Sequence, residues 1–229
     1  MPLLSAVPPE GAEPGIPRPR AGYLWFGSVA VVILTALIFF GIGWSSATPR
    51  PVPDTGVDAG FARDMQEHHA QAVEMALLIR DKSSNQEIRA VAYDVATSQQ
   101  HQKGQMYAWL QGWGLSQARA IPPMGWMESG AGGHGSTSPH ASQSGLGGGN
   151  GVMEGMATPE QMQALRQSSG ADADRLFTDL MIRHHQGGVA MASAAVRLAE
   201  TATVRDFAAL IMDAQAAEIT TLQELRRSL

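Results

Sequence analysis

The sequence contains no cysteine. Its absence removes disulfides, thiolate metal sites and cysteine nucleophiles together, and also a lipid anchor of the lipoprotein kind, which attaches to a thiol. Basic residues are sparse: 16 Lys and Arg stand against 21 Asp and Glu, giving a formal net charge of −5. A nucleic-acid binder calls for a clustered excess of Lys and Arg, so that class of partner is excluded. Aromatic residues make up 6% of the chain, strand signals are almost absent, and nothing resembles a hydrolase triad or a phosphate loop. Methionine is the residue in unusual supply, with 12 against 6 Phe and 3 Tyr. At 229 residues the chain can form one or two domains with a buried core.

Residues 1–21 are rich in Pro and Gly and carry no apolar period, so they read as a disordered cytoplasmic tail. Residues 22–44 run without one charge and carry Tyr23, Trp25 and Trp44 near their ends. At ~1.5 Å per residue this stretch can span the ~30 Å hydrocarbon layer as a transmembrane helix. It is longer than the roughly 7–15 apolar residues of a signal core, although Ser45-Ser46-Ala47 would serve as a cleavage site if the segment were removed. Arg18 and Arg20 outweigh Arg50 across it. The expectation is a single-pass anchor in the cell membrane, with the N-terminus cytoplasmic and everything after the helix extracytoplasmic. A Pro-rich stalk is expected over residues 45–58. Residues 59–229 then carry helical periods, with breaks near Lys82–Asn85 and Glu200–Thr203 and a flexible Gly/Ser/Met-rich linker at 114–151. Thr158-Pro159-Glu160 opens the second helical region with a cap, a proline and an acid in the first turn.

Sliding the chain on itself by 116 residues brings the two helical regions into gap-free register. Phe61 falls on Phe177, Met65 on Met181, His68 on His184, His69 on His185, and Met75 on Met191; further on, Arg89 meets Arg205 and Gln99 meets Gln215. The shared pattern is F-x3-M-x2-H-H-x3-V-x-M-A. Each half reads as a helical hairpin, and two hairpins predict an all-α four-helix bundle in which each buries the apolar face of the other. At ~100° per residue the histidines lie on the face expected to pack inward. The apolar stripes of the partner helices are broken by Gln99 and Gln102 in one and by Gln215 and Glu218 in the other. An antiparallel hairpin sets those residues level with the histidines, so one polar layer flanked by methionine is predicted.

Taken singly, an inward Met or His is usually a packing residue. The repetition in register points instead to a metal site, with His68, His69, His184 and His185 as ligands and Met65, Met75, Met181 and Met191 as soft ligands or shell. Imidazole with thioether and no thiolate favours Cu(I), with Ag(I) as a surrogate, and a cysteine-free site suits an oxidising compartment. Histidine ligands must be neutral, and an ordinary imidazole pKa of about 6.5 implies that binding fades towards pH 5. A di-iron carboxylate centre would need Glu-x-x-His pairs, whereas Met65 and Met181 occupy the position three before the histidine. Met124, Met127, His134, His140, Met153, Met156 and Met162, in and just after the linker, form a second candidate for Cu(I) capture. Two other readings stand beside a non-enzymatic metal binder: a structural or interaction module whose polar layer only sets helix register, and a redox-metal enzyme on the same layer.

Residues Phe61–Ala76, Gln99–Gly114, Met153–Leu165 and Phe177–Ala192 resemble the family known as domain of unknown function 305, and the likeness covers Asp58–Arg227. That resemblance implies a ferritin-like four-helix bundle. It also implies, through the CopM-type members, binding of copper and silver outside the cytoplasm. Where many members have Gly-Ala before the aliphatic position, this chain has Gly187 and Gly188.

Overall fold

A computed structural model describes residues 31–40, 51–128 and 153–229. The chain divides into two compact units, Met1–Arg50 and Pro51–Leu229. In the first, residues 31–40 are helical. The transmembrane helix expected at 22–44 extends beyond them on both sides, and no helix among the described residues is long and apolar enough to cross a membrane. The expected tail at 1–21, the first part of the stalk, and linker residues 129–152 with His134 and His140 lie outside the described residues.

In the second unit every described element is helical. Four long helices, α1 (Val57–Lys82), α2 (Gln86–Gly112), α5 (Gly170–Leu198) and α6 (Ala202–Ser228), form two pairs, with two short ones, α3 (Gly125–Glu128) and α4 (Pro159–Gln167), between the pairs. The breaks are made by capping residues. Asn85 turns the chain between α1 and α2, its side chain accepting from the N–H groups of Glu87 and Ile88 at 2.9 and 3.3 Å. Thr201 does the same for α6 by accepting from the Val204 N–H. Thr158 and Gln161 form a reciprocal capping box at the start of α4, with Pro159 at the first helical position. A further break, unmarked in the sequence reading, falls at Ser168–Ser169, and Gly170 opens α5 at a φ of 56°. Lys82 closes α4 from outside, its ammonium donating to the carbonyls of Leu165 and Ser168 at 3.1 and 2.9 Å.

The hairpins α1–α2 and α5–α6 pack together through α1 and α5, which run antiparallel. Asp58 at the start of α1 therefore meets the start of α6, accepting from the Glu200 and Thr201 N–H groups at 2.8 and 3.0 Å. The stalk expected through residue 58 ends sooner, because Val57 and Asp58 are already helical and buried.

Apolar side chains form two separate clusters. One holds Phe61, Met65, Met106, Leu110, Met191 and Ile211. The other holds Met75, Ile79, Ile88, Val95, Phe177, Met181 and Leu222. What separates them is the polar layer.

The linker expected from residue 114 is corrected over its first part. Asp64 is buried and draws this segment onto α1: its carboxylate accepts from Arg119 Nε at 2.7 Å, the Met124 N–H at 2.8 Å and Trp126 Nε1 at 2.9 Å. Met124 takes a left-handed φ of 64°, which the bond to Asp64 holds in place. Trp126 is fully buried, edge-on to Phe61 with ring centroids 6.0 Å apart. It lies over Gly60, where a Cβ would come within 2.6 Å of the indole. Composition alone concealed one buried carboxylate able to organise a Pro- and Gly-rich stretch.

Candidate metal centre

All eight predicted ligand residues are fully buried: His68, His69, His184, His185, Met65, Met75, Met181 and Met191. The antiparallel packing of α1 on α5 relates the two sequence repeats by an approximate twofold axis. His68 and His184 occupy one repeat position and meet on that axis, with ring centroids 3.7 Å apart and ring planes tilted by 32°. His184 and His185 lie 6.2 Å apart by the same measure.

The outer histidines are each held from the partner helix. His69 Nε2 is 2.7 Å from Gln102 Oε1, and His185 Nε2 is 2.5 Å from Glu218 Oε2. In that arrangement Nε2–H donates and Nδ1 carries the free lone pair. Nδ1 of both rings is buried without a hydrogen-bond partner, as are both nitrogens of His68 and His184 and both side-chain amides of Gln99 and Gln215. A Cβ on Gly188 would lie 2.2 Å from Gln215 Oε1, so the glycine is what admits that amide to the layer.

Thioethers bracket the imidazoles. Met65 and Met191 share the cluster on one side of the layer, and Met75 and Met181 share the cluster on the other. Among the described residues no three His, Asp or Glu side chains gather closely enough to form a metal site by themselves. A metal in this layer would therefore draw on a pair of imidazoles completed by thioether or amide groups, a donor set that suits a soft ion of low coordination number.

Burial keeps three of the rings, those of His68, His69 and His184, neutral. Desolvation pushes His69 down to about 3, opposed by its bond to Gln102. Desolvation likewise holds His68 and His184 well below the ordinary imidazole value, reinforced by the neighbouring histidines and partly opposed by the backbone at Glu154 and at His68 respectively. Neutral rings with free lone pairs are the form that binds metal.

The sequence reading missed what covers this layer. Met153–Ala157 crosses the bundle as a strap. Gln71 clamps one end: its Nε2 donates to the Ala157 carbonyl at 2.9 Å and its Oε1 accepts from the Ala157 N–H at 2.7 Å. At the matching repeat position stands Gly187, where a Cβ would lie 2.1 Å from the Glu154 carbonyl oxygen. Gly155, at a φ of 83°, would bring its own Cβ within 2.5 Å of the Arg183 carbonyl. The Gly187-Gly188 doublet inside a helix was the available signal, since each glycine there costs about 1 kcal/mol relative to alanine and calls for a packing reason.

The second candidate set is corrected for its five methionines, His134 and His140 lying outside the described residues. Met124, Met153 and Met162 are buried and Met127 and Met156 half-buried, all packed into or against the two apolar clusters. These methionines do not form a freely mobile acceptor.

The chain belongs to the DUF305 family, a domain of unknown function, whose family model matches residues 58–226. A DUF305 protein of Streptomyces coelicolor is similar at 36% identity and a TM-score of 0.64, over 76% of this chain and 93% of that one. A DUF305 fragment from Deinococcus radiodurans is similar at 30% identity and a TM-score of 0.59, over 79% of this chain and 100% of that one. CopM in its Cu(I)-bound form shares the fold at 22% identity and a TM-score of 0.54, over 75% of this chain and 96% of that one. None of the curated proteins matches the chain.

Proposed function

We propose that this DUF305 protein binds or buffers Cu(I) or Ag(I) in its four-histidine layer, outside the cytoplasm and without catalytic turnover, while anchored to the membrane by residues 22–44. One observation carries the reading: a single fully buried layer holds the unpartnered nitrogens of His68, His69, His184 and His185 together with the unpartnered amides of Gln99 and Gln215. Leaving a buried polar group unsatisfied costs roughly 1–3 kcal/mol each, so a layer of such groups calls for a partner. A soft cation would take up the lone pairs, and Met65, Met75, Met181 and Met191 supply thioether on both sides. Structures of CopM, which shares the fold, hold Cu(I), Cu(II) or Ag, so ions of this class are the first to test. The anchor is supported by the charge-free run at 22–44 and by the exposure of Val31, Leu34, Leu37 and Phe39 within it.

Anaerobic titration of the metal-free protein with Cu(I), Ag(I), Zn(II) and Fe(II) tests the reading. Saturable binding of the two soft ions is expected, with loss of that binding when the four histidines are replaced by glutamine. The His69–Gln102 and His185–Glu218 pairs favour one other reading, in which the layer fixes helix register without a ligand. Absence of saturable binding by any of the four ions would establish that one instead.

A further inference from the structure

The two repeats are not equal at the layer. Gln102 and Glu218 occupy the same repeat position, and each bonds the Nε2 of the histidine on its partner helix 33 residues earlier in the chain. One partner is a neutral amide and the other a carboxylate. We propose that Glu218 and Gln102 are positioning residues that make the two halves of the layer unequal, the half built on His185 and Glu218 being the tighter for a soft cation. This rests on the reading of the layer as a metal site.

An ionised carboxylate can only accept a hydrogen bond. Glu218 therefore fixes His185 as the Nε2–H tautomer and leaves Nδ1, buried and unpartnered, as the donor atom towards the layer. An amide can present either end. If Gln102 turns over, its NH2 group faces His69 Nε2 and the ring adopts the opposite tautomer, with the proton on Nδ1 and no lone pair facing the layer. His69 must meet that competing state before it can bind.

Charge acts in the same direction. The His185 side chain is fully buried and that of Glu218 is a quarter exposed, so the carboxylate stays partly in water while its Oε2 bonds the ring. A negative group bonded to the far nitrogen raises the basicity of an imidazole ligand and offsets the charge of an incoming cation. Partners of this kind are worth about 10–100-fold in metal affinity. Gln102 supplies the orientation without the charge.

Two variants of the full-length protein test this, each converting one half into the other. Glu218→Gln should weaken the tighter Ag(I) site by about 10–100-fold, and Gln102→Glu should tighten the weaker one. Competitive Ag(I) titration in chloride-free buffer reads both. His185→Gln should remove the tighter class of site and His69→Gln the weaker. An independent readout needs no metal: long-range 1H–15N spectra of histidine-labelled protein should show His185 as a single Nε2–H tautomer. In Glu218→Gln that ring should become a mixture. If the wild type binds Ag(I) and Glu218→Gln binds it equally well with His185 unchanged, this inference fails while the metal reading stands. If the wild type binds no Ag(I), both fail. Because Gln102→Glu is read separately, failure of one variant to fold leaves the other measurement decisive.

Discussion

Lowering the pH from 7 to 5 should destabilise the metal-free protein steeply, and the burial of the histidines sets the size of the effect. In the unfolded chain an imidazole titrates near 6.5. In the fold, desolvation lowers His69 to about 3. Between those two values the unfolded state binds a proton that the folded state refuses. Stability is therefore complete above the unfolded value and falls as the pH drops through the window. Over the two units from pH 7 to 5, His69 alone accounts for a loss of about 2 kcal/mol. His68 and His184 are shifted in the same direction by the same cause and add to it. Domains of this kind are stable by roughly 5–15 kcal/mol in all, so the combined loss is a large share. Carboxylates as a class titrate near 4 and act mainly below pH 5. Urea unfolding followed by helical circular dichroism at pH 7, 6 and 5 measures the slope, and His69→Gln isolates one residue. The stability gap between wild type and His69→Gln should move by about 2 kcal/mol across that range, against the wild type at the acid end. A wild type whose unfolding midpoint is the same at pH 7 and pH 5 would refute the reasoning, because the rings would then reach protons as easily folded as unfolded.

Other perturbations separate the parts of the fold. Trp126→Ala removes the indole that rests on Gly60 and Phe61 and should cost about 3–5 kcal/mol in urea unfolding; a loss under 1 kcal/mol would return residues 115–128 to the status of a linker. Gly187→Ala places a Cβ against the Glu154 carbonyl, so a net loss of about 1–3 kcal/mol is expected, with faster deuterium exchange across 153–157. Gly104→Ala is its control, since a Cβ there meets nothing within 4 Å; a gain of up to about 1 kcal/mol is expected. If both glycine variants respond alike, the strap is not seated as described.

Most of the bundle was legible because its information is periodic. The repeat offset of 116 residues aligned two hairpins, the 3.6-residue period turned the histidines inward, and Gln102 and Glu218 stood out as polar breaks in apolar stripes. The Asn85 and Thr201 turns lay where breaks were expected, because capping is a local signal. What remained hidden depends on contacts far apart in sequence. Asp64 gathering Arg119, Met124 and Trp126, and Gln71 clamping Ala157 86 residues away, leave no periodic trace. Nor does Lys82 closing α4. The break at Ser168–Ser169 was signalled by Ser-Ser-Gly, but a continuous helical reading ran through it. The expectation that metal binding fades towards pH 5 also changes: it assumed an ordinary imidazole, and burial moves proton competition lower.

The central claim is tested most directly by thermal unfolding with and without Cu(I) or Ag(I), for the wild type and for the variant with His68, His69, His184 and His185 all replaced by glutamine. Ligand at 100 times its dissociation constant stabilises the native state by about 2.7 kcal/mol, and for a chain of this size each kcal/mol is worth about 2–4 °C. The wild type should therefore gain about 5–10 °C at pH 7 and keep most of that gain at pH 5, while the fourfold variant gains nothing at either pH. A wild type whose melting temperature neither ion moves, beside a fourfold variant that melts no lower, would contradict the account and leave the layer as packing.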